Sequence, residues 1–152
     1  MSSTENSTYE GFSAEERAAM KDHAKEQKAA ARRGSRADKA ALAAQDVLDK
    51  IAEMQDSDRV MAERVHAVVT ETAPDIAPKL WYGMPAYALD GKMICFFQSA
   101  AKFKARYATL GFSDQAKLDD GDMWAAGFAL AKVTPAVEKQ IAELVKQAVS
   151  QG

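Results

Sequence analysis

Arg17, Lys21, Lys25, Lys28, Arg32, Arg36 and Lys39 follow one another at spacings of four, four, three, four, four and three residues. On a helix that spacing draws one basic stripe. Such a stripe can lie along the phosphates of a nucleic acid, through nonspecific and salt-dependent contacts, or against an acidic protein partner. An anionic membrane fits less well, because the stripe lacks the bulky apolar face of an interfacial helix. The plain counterpart is a solvated helix in which Glu16, Asp22, Glu26 and Asp38 partly neutralise the field and Gly34 breaks the stripe.

A second set of cations sits in KFKARYA, where Lys102, Lys104 and Arg106 alternate with Phe103, Ala105 and Tyr107. Read as a strand, this segment turns its rings to the core and three cations to a wet face of a sheet. With Trp81, Tyr82 or Tyr87 at the margin, those cations could receive an anionic small ligand by charge-assisted hydrogen bonds and stacking. The stretch Tyr82, Gly83, Met84, Pro85 and Tyr87 forms the rim of that surface. Against this stands the ordinary use of lysine and arginine to keep an antiparallel sheet soluble.

Other candidate chemistry is thinner. Cys95 would be a nucleophile only beside a base that supplies its thiolate, and in MICFF it shares a strand face with Met93 and Phe97, as a small buried hydrophobe would. Asp119, Asp120 and Asp122 around Gly121 could offer oxygens to a hard cation such as ferrous iron, yet Asp and Gly are also turn residues. Glu63, Glu71 and Asp75 would extend an acidic surface, but Arg59, Arg64 and Lys79 are interleaved with them. His66 alone makes no metal site and reads as a partly buried polar residue. No GxGxxG, P-loop, HExxH or GxSxG is present, which removes familiar enzyme classes.

Twenty basic residues against 22 acidic ones give a net charge of -2, so the whole-molecule field is not that of a dedicated nucleic-acid binder and any basic patch must be local. One cysteine cannot make an internal disulfide, and two distant histidines cannot build a Cys/His zinc site. With neither a signal-like start nor eighteen consecutive apolar residues, the chain is expected to be cytoplasmic and not membrane-bound.

The elements that would position these groups fall into two textures. Residues 1 to 12 are too polar to order and are expected to be a disordered tail. Ser13 and Glu16 match a capping box, opening an alanine-rich basic helix from Ala14 to Arg33 whose only large apolar side chain is Met20. That helix is either solvated or packs by a small-residue alanine face. A second helix from about Asp38 carries Leu42, Val47, Leu48, Ile51 and Met54. A third, capped by Asp56 or Ser57, carries Met61, Val65, Val68 and Val69 to Ala73.

Beyond Pro78, ten of the twelve aromatics lie between Trp81 and Phe128, among turns and short alternating runs, which is the texture of strands. Asp90-Gly91 suits a two-residue hairpin between strands at 86 to 89 and 92 to 98. A last strand is expected around Phe128 to Lys132. Thr134-Pro135 then caps a closing amphipathic helix bearing Val137, Ile141, Leu144, Val145, Ala148 and Val149. The class is α+β, an antiparallel sheet with helices packed on one face and an N-terminal helical extension. The extension spans 13 to 45 and the compact domain 46 to 151.

DVLDKIAEMQDSDRVMAERVHAVVTETAPD, then LWYGMPAYALDGKMICFFQSAAKFKARYATLGF, then PAVEKQIAELVKQAV together resemble the YdhG-like family of small domains of unknown function. The resemblance covers roughly residues 46 to 150, with Tyr82-Gly83-Met84-Pro85-Ala86-Tyr87 its most distinctive element. It implies a five-stranded sheet between helices, similar to the frataxin fold, and some members of the family have been proposed to handle iron. Where relatives continue from the basic strand into a glycine- and proline-bearing turn, this chain reads YATLGFSDQAKLDDGDMW.

The expectation is a non-enzymatic binding or chaperone-like protein that carries iron or an anionic ligand. The alternative is an interaction module whose basic N-terminal helix binds nucleic acid or an acidic protein. No particular cofactor is indicated.

Overall fold

The computed structural model of the chain describes residues 11 to 32 and 34 to 150. The tail expected to be disordered therefore lies outside the described residues, apart from Gly11 and Phe12, and so does Arg33. The element order is α1 (Ala14–Arg32), α2 (Arg36–Ala52), α3 (Asp56–Thr72), β1 (Ala77–Trp81), β2 (Met84–Leu89), β3 (Lys92–Gln98), β4 (Ala108–Phe112), β5 (Gly127–Leu130) and α4 (Pro135–Ala148). The five strands form one antiparallel meander in the order of the chain.

Local chemistry accounts for most boundaries. The capping box of α1 is complete: Ser13 N donates to Glu16 Oε1 at 2.9 Å and Glu16 N to Ser13 Oγ at 3.0 Å. Ser35 caps α2 by accepting from Asp38 N, and Thr134 caps α4 by accepting from Val137 N with Pro135 in the first turn. The cap residue of α3 is Gln55, whose side chain makes no capping bond, where Asp56 or Ser57 was expected.

Two hairpins turn on two residues each. Tyr82-Gly83 has φ of 52° and 76°, and Asp90-Gly91 has φ of 52° and 81°. Left-handed backbone at both central positions is the turn whose twist matches that of the flanking strands. The first hairpin joins β2 to β1, a strand the sequence did not single out because Pro78 stands inside it; β1 is an edge strand, where proline is tolerated.

The register pairs Tyr87 with Cys95, Cys95 with Phe112 and Phe97 with Leu110, placing these side chains on one face. Against that face pack Val47 and Ile51 of α2, Met61, Val65 and Val69 of α3, and Ile141, Val145 and Ala148 of α4. The register then shifts between Tyr87 and Ala88, so that Ala88 opposes Met93 and Ile94 is the extra residue of a bulge. Ile94 joins Cys95 in the core, and Met93, expected on the Cys95 face, moves to the opposite one.

On that opposite face, the ring of Phe96 lies against the backbone of Gly111, where a Cβ would come within 2.3 Å of it. Trp81, Met84 and Phe96 make this side of the sheet aromatic, and α1 lies across it. Three helices thus cover one face, and α1, the first part of the expected extension, docks on the other.

Candidate interaction surface

The segment expected to be a cationic strand is a loop. β4 begins only at Ala108, because Gln98 of β3 pairs with Thr109 and the residues between must reverse the chain. Ala105 N donates to Ala100 O at 2.9 Å, and Lys104 takes a left-handed φ of 53°. The apolar-cation alternation is satisfied differently: Phe103 turns beneath α1, while Lys102 and Lys104 reach carboxylates of α1. Arg106 stacks its guanidinium over Tyr107, 5.2 Å from the ring centroid.

Asp58 holds this loop in place. It is 4% exposed, and its two carboxylate oxygens accept from Ala100 N at 3.1 Å and Ala101 N at 3.0 Å. Hydrogen bonds to an ionised acceptor are stronger than neutral ones. A residue in the first turn of α3 thereby fixes a loop more than forty positions away, and with it Lys102, Phe103 and Lys104.

Docking of α1 is almost wholly polar. Ala19 is its one buried residue. Glu26 accepts from Gly83 N at 2.7 Å and Tyr82 N at 3.1 Å, so one carboxylate caps the first hairpin turn. Lys102 Nζ donates to Asp22 Oδ2 at 2.9 Å and to Tyr82 O at 3.1 Å. Lys104 Nζ lies 2.8 Å from Glu15 Oε1. The His23 ring stacks on Tyr82 with centroids 4.1 Å apart and planes within 7°.

His23 Nδ1 is 3.6 Å from Glu26 Oε1, close enough for attraction when protonated but too long for a hydrogen bond, and it makes none among the described residues. Burial pushes the Glu26 carboxyl above its ordinary value despite the two N–H groups that favour its charge. That group therefore favours docking most at low pH and gives the contribution up as pH rises through the raised value. Lys104 holds the Glu15 carboxyl below its ordinary value. Its contribution has the opposite sign, present above the ordinary carboxylate range and lost as pH falls through the lowered one.

At roughly 100° per residue, Glu15, Ala19, Asp22 and Glu26 fall within about 60° of one another, and the basic stripe centres about 130° away. Of the acidic residues that had seemed to dilute the stripe, Asp22 and Glu26 are thus turned to the sheet, while Glu16 and Asp38 are exposed near the starts of their helices. Arg17, Lys21, Lys25, Lys28 and Arg32 are exposed and make no ion pair among the described residues. Arg36 and Lys39 are also exposed, but belong to α2 beyond the break at Gly34 and Ser35. The spacing of four, three and four from Glu15 to Glu26 is that of a packed face, a signal hidden by its being written in carboxylates and alanine.

Of the proposed rim, Gly83, Met84 and Pro85 line a cavity of about 210 Å³ together with Lys102. It holds both signs of charge, Lys50 and Lys102 against Glu53 and Asp58. Tyr82 lies outside it, beneath α1. Tyr87 is not at a rim at all. It is fully buried on the helix-facing side, where its hydroxyl meets His66 Nδ1 at 2.9 Å. Burial raises the Tyr87 pKa and lowers that of His66, so the pair is neutral, with Tyr87 in the core and His66 half-buried beside it.

Cys95 is fully buried, and burial pushes its thiol up to about 12. Reaction with an aromatic disulfide reagent should be negligible in the folded protein and prompt after denaturation; stoichiometric labelling of the native chain would contradict this placement. Asp119, Asp120 and Asp122 are exposed, and among the described residues no group of three His, Cys, Asp or Glu side chains is placed to hold a metal ion. Among them, too, no helix is long and apolar enough to cross a membrane.

Compared with models of known protein families, with curated proteins and with solved structures, the chain matches none.

Proposed function

We propose that this protein is a non-enzymatic docking module for polyanions, nucleic acid foremost, in which the sheet domain is a rigid base that presents the basic face of α1. The observation that carries this reading is the division of charge around α1. Glu15, Asp22 and Glu26 are consumed in contacts with the sheet and its loops, and five cations remain outward and unpaired among the described residues. The whole chain carries a net charge of only -2, so the molecule apart from these five cations is acidic, which confines binding to that face.

The carrier reading has the 210 Å³ cavity in its support, but Lys102, its central cation, is already engaged by Asp22. Membership of the YdhG-like family belongs to the same proposal, and what supports it is the order of helix, Tyr82-Gly83 turn, antiparallel meander and closing helix.

The test is fluorescence anisotropy of a labelled oligonucleotide with the whole chain over a salt series. Five phosphate contacts give a log-log salt slope of roughly -3.5 to -4.5, and Lys21→Gln with Lys25→Gln and Lys28→Gln should flatten it by roughly 2 to 2.7. Affinity at about 50 mM salt should fall at least tenfold in that triple variant. Unchanged slope and affinity would refute the reading.

A further inference from the structure

The surface that α1 covers is unusual for a helix receptor. A helix that docks on rings ordinarily brings an apolar stripe, because buried apolar area drives the contact. α1 brings Ala19 and the edge of Met20, and otherwise a flat ring and three carboxylates. The ring of His23 lies face to face on Tyr82 at 4.1 Å. The carboxylates sit on Lys102 Nζ, on Lys104 Nζ and on the paired N–H groups of Tyr82 and Gly83.

A flat ring stacked on an aromatic side chain, with anions held by lysines and backbone N–H groups beside it, is what a single-stranded nucleic acid supplies as base and phosphate. The rest of the covered surface agrees. Trp81 stands edge-on to Tyr82 with centroids 4.9 Å apart and is 5.3 Å from Phe96, while Phe103 lines the same groove of about 420 Å³. Aromatic rings stack with any base, and Lys102 Nζ stands 5.8 Å from the centroid of the Phe103 ring.

We propose that the sheet face beneath α1 is a binding platform for single-stranded nucleic acid, held closed by α1, whose carboxylates stand in for phosphates and whose His23 stands in for a base. This deepens the polyanion reading and rests on it for the class of target. His23 Nδ1, buried beneath the helix, makes no hydrogen bond among the described residues. An incoming strand exchanges phosphates for carboxylates on the same lysines, and the released helix keeps its cations for the backbone of that strand.

An acidic protein helix is the competing occupant, and the test separates the two. The whole chain is titrated with dT12, with a 12-base-pair duplex and with a poly-glutamate peptide, following anisotropy and, in a Trp124→Phe background, quenching of Trp81. The double substitution Asp22→Asn with Glu26→Ala opens the platform, and should tighten dT12 at least tenfold and quench Trp81, with a smaller gain for duplex. Tyr82→Asn, which tolerates the left-handed turn, and Phe103→Leu should each remove most of the gain. Asp119→Asn with Asp120→Asn makes the same charge change away from α1 and should give no gain.

The proposal is overturned if the opened variant binds dT12 within twofold of the parent, if duplex gains equally without quenching, or if poly-glutamate displaces dT12 and produces the same quench. Repeating the series with Lys21, Lys25 and Lys28 replaced by Gln separates it from the outward-stripe reading. A retained gain there, where those substitutions leave the parent affinity unchanged, defeats the stripe and upholds the platform. Loss of affinity on stripe substitution with no gain on opening does the reverse.

Discussion

Gly83→Ala undocks α1 while leaving the helix-facing core intact. A Cβ at this position would stand 1.9 Å from Lys102 Nζ and 2.4 Å from Asp22 Oδ2, so the ion pair must part to admit it. Both atoms end flexible side chains, and their movement is sterically cheap; the loss lies in what they no longer do. Residue 83 also has φ of +76°, where a side chain costs roughly 1–2 kcal/mol. With less than about 1 kcal/mol for a partly exposed pair, the total is about 1–3 kcal/mol, most of it local to the hairpin and α1.

The second hairpin supplies the control. Gly91 holds the same place in the same kind of turn, at φ +81°, with nothing within 4 Å of an added Cβ. Gly91→Ala therefore reports strain alone. Trypsin should cut the lysine- and arginine-rich α1 at least about tenfold faster in Gly83→Ala than in Gly91→Ala, because cleavage follows the population of the open form. Equal rates would mean that the Asp22, Lys102 and Gly83 contact does not hold the helix.

Asp58→Ala lowers global stability by about 3 kcal/mol, since it removes two hydrogen bonds to a charged acceptor and leaves two N–H groups without a protein partner. Asp58→Asn, which keeps one acceptor oxygen, should fall between the two. The urea midpoint measures this directly. The loop from Ala100 carries Lys102, Phe103 and Lys104, so the alanine variant should also loosen α1 and speed its cleavage. A variant with an unchanged midpoint would show that the loop is held by other contacts.

Much of the architecture was legible because its signals are local. The capping box at Ser13, the Thr134-Pro135 start, the Asp90-Gly91 turn and the apolar periodicity of α2, α3 and α4 each depend on neighbours within a turn or a hairpin. Strand β1 escaped because Pro78 is a breaker everywhere except an edge, and edges are defined only by the finished sheet. KFKARYA misled because alternation of period two also describes a loop whose alternate residues are claimed by different partners. The bulge at Ile94 moved Met93 off the Cys95 face for a related reason: parity along a strand holds only while the register does.

The candidate site divides the same way. The basic stripe is a property of spacing along one helix, and it is there in the order of the residues from Arg17 to Lys39. Which of its counterions remain to cancel it is not. That depends on Lys102, Lys104 and the Tyr82-Gly83 turn, some 56 to 89 positions further along, meeting Asp22, Glu15 and Glu26. By itself the sequence determined the helices, the hairpin chemistry, the α+β class and a row of cations on one helical face, since propensity and periodicity act over a few residues. Only the tertiary structure decided that α1 docks, that it docks by its acids, and that its cations are left outward over an aromatic sheet, because pairing between distant charges is fixed by where the chain returns and by nothing written beside either partner.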